Sequence, residues 1–144
     1  MERVMCLTTF WFNGRRMVWL VVLCHCVVSS KGKEIVDVRY ERKLFEELMG
    51  TPITLTCKTM YVYKWCHHME VGWYQNQSVG LTDPSRYLTT VNETISEDSR
   101  LRQVTTKILS LISEDNGVFQ CIAKCGDEEQ ARGHFIEVVV KGQE

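Results

Sequence analysis

Asp115-Asn-Gly-Val-Phe-Gln-Cys121 is the stretch from which the fold can be read, and the rest of the chain is best taken outward from it. Phe119, Cys121 and Ala123 fall on alternate positions, the period of 2 that turns one side of a strand toward a core. Cys57 stands 64 residues earlier on another alternating run, Ile53, Leu55 and Cys57 with Thr54 and Thr56 between them, preceded by the turn residues Gly50 and Pro52. Trp73 follows Cys57 by 16 residues and alternates with its neighbours beside Val71. Val104, Thr106 and Ile108 make a further inward set, and Ile136, Val138 and Val140 a last one. No stretch of ten or more residues carries a convincing 3.6-residue apolar stripe. Tyr40 to Met49 comes closest and reads as an edge strand. Many short strands with almost no helix predict an all-β sandwich or barrel.

The order Cys57, Trp73, Cys121 resembles the framework of the immunoglobulin superfamily, in which a disulfide crosses between the sheets and a Trp packs against it. Asp115-Asn-Gly117-Val-Phe119-Gln-Cys121 is likewise similar to that family's Asp-x-Gly-x-Tyr-x-Cys signature. The resemblance covers about Val36 to Val140 and implies an immunoglobulin-like Greek-key β-sandwich of two antiparallel sheets. It also implies a Cys57–Cys121 bond, a core Trp73, and an ion pair from Asp115 to Arg86, with Arg100 as the second candidate. One departure is Phe119, which stands where the family has a tyrosine whose hydroxyl bonds to upstream backbone. That missing bond is worth about 0.5–1.5 kcal/mol.

The N-terminus sets the compartment. Arg15 and Arg16 precede the 12-residue apolar run Met17–Val28, and Ser29-Ser30 follow. This reads as a signal peptide over residues 1–30, with Val28 and Ser30 at the −3 and −1 positions of a cut before Lys31. A membrane helix is the competing reading, but such a run rises only about 18 Å, short of a roughly 30 Å hydrocarbon core. Residues 31–144 then form a single domain with 14 Lys and Arg against 17 Asp and Glu, a net charge of −3. That balance argues against a nucleic-acid partner. The chain as written reads as secreted, and as a cell-surface domain if a stalk and membrane anchor follow Glu144.

Beyond residue 30 the cysteines are Cys57, Cys66, Cys121 and Cys125. Four cysteines in an oxidising compartment suggest two disulfides, with three connectivities open. In a variable-type sandwich the B–C and F–G loops share one end. The economical arrangement adds Cys66–Cys125 to the core bond, whereas Cys121–Cys125 would strain the strand and leave the core unstapled. The B–C segment, Tyr61-Val-Tyr63-Lys-Trp65-Cys-His67-His68, is rich in the aromatic types that anchor interfaces. Tyr61, Tyr63, Trp65 and His67 are therefore candidate partner contacts, with packing around the disulfide as the structural alternative. Cys66, His67 and His68 carry zinc-type donors, but their spacing matches no zinc module, so no metal or other cofactor is expected. Asn76-Gln-Ser78 and Asn92-Glu-Thr94 are sequons that mark Asn76 and Asn92 as glycan acceptors. Glycans there would shield one flank and leave the loop end and the sheet containing the last strand open.

The chain also resembles the B- and T-lymphocyte attenuator family of inhibitory receptors. It shares a second Cys soon after the first-sheet Cys and the Asp-Asn-Gly lead-in to Cys121. That family bonds its extra loop Cys to one near the N-terminus, whereas no Cys lies between Lys31 and Thr56 here. The resemblance implies a protein-binding receptor ectodomain of the immune system, a partner in the tumour-necrosis-factor-receptor family, and damping of lymphocyte activation. An adhesion or structural module and a soluble decoy are the alternatives. Catalysis finds no support, because His67, His68 and His134 join no nucleophile elbow or triad spacing, and no small-molecule substrate is expected.

Overall fold

The computed structural model describes residues 36–127 and 129–142, so the signal-peptide reading of residues 1–30 lies outside the described residues. Ten strands follow in chain order: β1 Val36–Arg39, β2 Leu44–Leu48, β3 Ile53–Val62, β4 Met69–Gln75, β5 Val79–Gly80, β6 Tyr87–Ile95, β7 Ser99–Ile108, β8 Gly117–Cys125, β9 Glu129–Arg132 and β10 Ile136–Lys141. One sheet runs β1-β3-β7-β6 and the other β2-β10-β8-β4-β5, with β9 also paired to β8. The chain changes sheet after β1, β2, β3, β5 and β7, which gives the Greek-key winding of an immunoglobulin-like sandwich. Among the described pairs one is parallel, β2 with β10, Phe45 lying opposite Val138. The strand expected between Tyr40 and Met49 is thus an edge strand, and it turns Phe45 inward.

Alternation in the sequence becomes burial in the fold. On β3, Ile53, Leu55, Cys57, Thr59 and Tyr61 all face the interior. Val104, Thr106 and Ile108 do the same on β7, the strand paired to it. From the opposite sheet come Trp73, Phe119, Cys121, Ile136 and Val138. Burying side chains of this size contributes about 1.5–3 kcal/mol each, so the meeting of the two inner faces dominates the stability. The Cys57–Cys121 bond crosses that core between Cα atoms 6.5 Å apart.

The signature stretch does more than feed β8. Asp115 Oδ2 accepts from Arg86 Nη2 at 2.7 Å and from the Ile112 backbone N–H at 2.9 Å. Arg86, the residue just before β6, therefore holds the acid, while Arg100 lies elsewhere. Asn116 Oδ1 accepts the Val140 N–H at 2.7 Å and so ties the β7–β8 turn to β10. Gly117 has φ +143°, which demands glycine, and a Cβ there would fall 2.9 Å from Asn76 Oδ1 and push that side chain aside.

Phe119 is fully buried and offers no hydroxyl. A phenol from another part of the chain enters this region instead. Gly133, His134 and Phe135 separate β9 from β10 along the last strand, and Tyr40 sits at that break. Its hydroxyl accepts the Cys121 N–H at 3.2 Å and donates to the His134 carbonyl. Its ring lies 4.9 Å from that of Trp73. A Cβ on Gly133 would come within 2.2 Å of the Tyr40 ring, so this glycine makes room for it. Burial pushes the Tyr40 phenol above its ordinary value and keeps the hydroxyl a neutral donor. Tyr40→Phe is expected to cost about 1–3 kcal/mol, because the buried Cys121 N–H loses its acceptor. Urea unfolding of the two proteins checks this, and an unchanged midpoint would show that the bond adds nothing net.

Candidate functional site

The end of the sandwich where β3 leads to β4 and β8 leads to β9 collects most of the chemically distinctive side chains. β3 extends to Val62, and the connection then turns tightly, with the Trp65 and Cys66 N–H groups both donating to the Val62 carbonyl at 3.0 and 3.1 Å. Cys66 is 1% exposed and joins Val36, Tyr61, Met69 and Ala123 in a small apolar cluster beneath the loops. Its bond to Cys125 spans Cα atoms 5.7 Å apart and fastens the β3–β4 turn to the end of β8. Gly126, at φ +61°, then reverses the chain toward β9.

Tyr61, grouped above with the loop aromatics, takes a different position. The alternation begun at Ile53 continues through Tyr61, so its ring points inward from β3 and is 2% exposed. Tyr61 is therefore part of the support for this end and presents no contact surface. Its hydroxyl donates to Glu93 Oε1 at 2.5 Å, and Arg102 Nη2 reaches Glu93 Oε2 at 3.0 Å. Arg102 Nη1 also donates to the Met69 carbonyl, which links β7 in one sheet to β4 in the other. The Tyr61 hydrogen bond, followed by that from Arg102, holds the Glu93 carboxyl below its ordinary range. The network is a buttress under the loop end.

Tyr63, Trp65 and His67 do face solvent. Trp65 is 58% exposed, a large apolar area for a residue of this size to leave uncovered. Tyr63 is held between two neighbours, with the Arg100 guanidinium 3.6 Å over its ring and the His67 imidazole edge-on at 4.9 Å. Arg100 also lies 3.8 Å from Glu93, so the buttress positions the cation that fixes Tyr63. Sequence reading assigned Arg100 only a possible pairing with Asp115 and missed this role. No local signal reveals it, because Arg100 reaches Tyr63 only through the β3–β7 register that sets it opposite Tyr61. The result is an aromatic and basic surface on a turn fixed by a disulfide.

Asn76 lies at the far end of β4 from this surface, whereas Asn92 is next to Glu93 of the buttress. Asn76 occupies the β4–β5 hairpin turn at φ +50° against Gly117, and Asn92 lies within β6. Among the described residues no helix is long and apolar enough to cross a membrane.

No protein-family model matches the chain. No curated protein matches it either. Solved structures do. A structure of the BTLA ectodomain aligns with a TM-score of 0.55 at 17% identity over 74% of this chain and 98% of that one. A chain from the crystal structure of Dpr2 Ig1-Ig2 in complex with DIP-Theta Ig1-Ig3 aligns with a TM-score of 0.53 at 18% identity over 74% of this chain. The Rst D1-D2 structure gives 0.53 at 16% identity over 75%. The match spans 32% of the second chain and 49% of the third, so one domain of this chain corresponds to a part of each. The described chain is accordingly an immunoglobulin-like β-sandwich that is similar in fold to the BTLA ectodomain.

Proposed function

We propose that this chain is a non-catalytic receptor ectodomain of the secretory pathway that binds another cell-surface or secreted protein through its loop end. The observation that carries this reading is the exposed pair Trp65 and Tyr63 on a turn held by the Cys66–Cys125 disulfide. Large aromatic side chains give much contact area for few rotamers, and a turn already fixed loses little further freedom on binding. Arg100, His67 and Lys64 supply the polar rim, Lys64 lying 5.3 Å over the Trp65 ring. The likeness to the BTLA ectodomain, together with the Asp115-Asn-Gly117 stretch, supports an inhibitory lymphocyte receptor with a tumour-necrosis-factor-receptor family partner.

The second reading is an adhesion module that binds another immunoglobulin domain, and the likeness to a chain of the complex between Dpr2 Ig1-Ig2 and DIP-Theta Ig1-Ig3 favours it. Binding of the secreted chain to panels of both partner classes separates the two. On the first reading, saturable binding to a tumour-necrosis-factor-receptor ectodomain is expected. Trp65→Ala is expected to weaken it at least tenfold, in line with the roughly 2 kcal/mol lost at an interface anchor. Cys66→Ser/Cys125→Ser should weaken it as well by freeing the turn. Binding untouched by these changes would move the contact to a sheet face. Binding only to immunoglobulin domains would replace the receptor reading with the adhesion one.

A further inference from the structure

β6 is an unusual edge. It runs for nine residues, Tyr87–Ile95, and among the described residues pairs only with β7, so no described strand takes up the backbone donors and acceptors on its other side. Exposed sheet edges are ordinarily guarded by lysine, proline, a bulge or very short length. β6 contains no lysine and no proline. Its single charge, Glu93, is drawn inward to Tyr61 and Arg102. Among its exposed residues are three large apolar ones, Leu88 at 56%, Val91 at 58% and Ile95 at 69%, interleaved with Thr89, Thr90, Asn92 and Thr94.

The strand is also compatible with itself. An antiparallel pairing of two copies centred on Val91 sets Tyr87 opposite Ile95, Leu88 opposite Thr94 and Glu93 opposite Thr89. No like charges meet in that register; Tyr87 with Ile95 and Val91 with its own copy are pairs of the kind that stabilise a ladder, and Thr90 meets Asn92. A second copy of this chain is therefore the occupant that the edge fits.

Asn92 lies beside the centre of this register. Its side chain is exposed and forms no hydrogen bond among the described residues, and it stands opposite Gln103 on the outer side of its sheet. In that register each Asn92 stands opposite Thr90 of the other strand and the two Asn92 are diagonal neighbours on one face, so the bare side chains are tolerated while bulky groups attached to them would crowd each other. Thr94, which completes the sequon, is exposed as well. Asn76 is placed differently, its side chain lying against Gly117 in a tight turn.

We propose that Asn92 carries an N-linked glycan whose function is to block edge-to-edge pairing of β6 between two copies of this chain. The inference rests on the secretory reading of residues 1–30, since only that compartment supplies the glycan. The test expresses the full chain in a secreting cell line. Peptide mass mapping after enzymatic glycan release in heavy-oxygen water then marks each occupied asparagine. Asn92 is expected to be labelled in the secreted protein. Both Asn92→Gln and Thr94→Ala are expected to remove one glycan and to produce a concentration-dependent dimer on size exclusion with light scattering. Adding Val91→Lys to Asn92→Gln should restore the monomer, because two lysines would then face each other at the centre of the pair. Enzymatic trimming of the glycan on the folded wild type to its first sugar, which leaves the Asn92 amide uncharged, gives a comparison that does not rely on a variant that must fold, and it should favour the dimer. Secreted protein with Asn92 bare, or Asn92→Gln and Thr94→Ala proteins that are folded by circular dichroism and stay monomeric, would overturn this inference alone. A chain held inside the cell without any glycan would overturn the secretory reading together with it.

Discussion

A protein in which all four cysteines of residues 31–144 are replaced by alanine is expected to be unfolded at 37 °C, whereas loss of either disulfide alone is expected to leave a folded, weakened domain. The reason lies in the unfolded chain. The Cys57–Cys121 bond closes 64 residues and the Cys66–Cys125 bond 59. With one bond in place, the ends of the other are already near each other, for Cys66 follows Cys57 by 9 positions and Cys125 follows Cys121 by 4. The first bond removed therefore releases only a short effective loop, worth about 3 kcal/mol, while removing the second frees a long one worth about 4 kcal/mol. Together these approach the whole stability of an ordinary domain, about 5–15 kcal/mol. Losing Cys57–Cys121 also leaves a void among fully buried groups, so that single variant should be the weaker of the two. Urea unfolding of the two double variants and near-ultraviolet circular dichroism of the quadruple one check the series. A quadruple variant that unfolds cooperatively at wild-type urea concentrations would show that packing alone holds the sandwich.

Arg86→Met is expected to cost about 3–5 kcal/mol, the range found when one partner of a buried ion pair is removed. The two partners are not equivalent. Asp115 is 1% exposed at its side chain and Arg86 29%, so the acid depends on the base for nearly all its compensation. Without Arg86 the carboxylate keeps only the Ile112 N–H, and its other oxygen has no partner among the described residues. Asp115→Asn should be milder, because the amide still accepts from Ile112 and the freed guanidinium reaches water. The Asp115 carboxylate holds the Arg86 guanidinium above its ordinary value, the same coupling seen from the other side. Chemical unfolding of both variants at pH 7 measures the ordering. Equal losses would mean that the pair acts only through its geometry and not through the burial of its acid.

Much of this architecture is legible in the chain itself. Alternation in Ile53–Cys57 and Val104–Ile108 depends on the two-residue period of a strand, a local property that the sequence carries whatever surrounds it. The Cys57, Trp73, Cys121 order adds the one long-range constraint needed to tell a sandwich from a barrel, and Asp115-Asn-Gly117 marks the turn into β8. Those features determine the all-β class, the core face of each long strand and the place of the core disulfide.

Other assignments depend on which residues register brings together. Tyr61 belongs to the interior because β3 runs to Val62 and its alternation does not stop at the loop. Arg86 lies beside Asp115, and Arg100 over Tyr63, because β6 and β7 pair along nine positions and carry the two arginines to opposite ends of the sheet. Tyr40 finds the Cys121 N–H across 81 residues at a break in the last strand, where Gly133 leaves space for its ring. Sequence by itself determined the strands and the sides they bury, since those follow from a period of two residues. Tertiary structure alone decided the partners of Tyr40, Tyr61 and Arg100, since a pairing between distant strands is fixed by the register of the whole sheet and leaves no trace in the residues on either side.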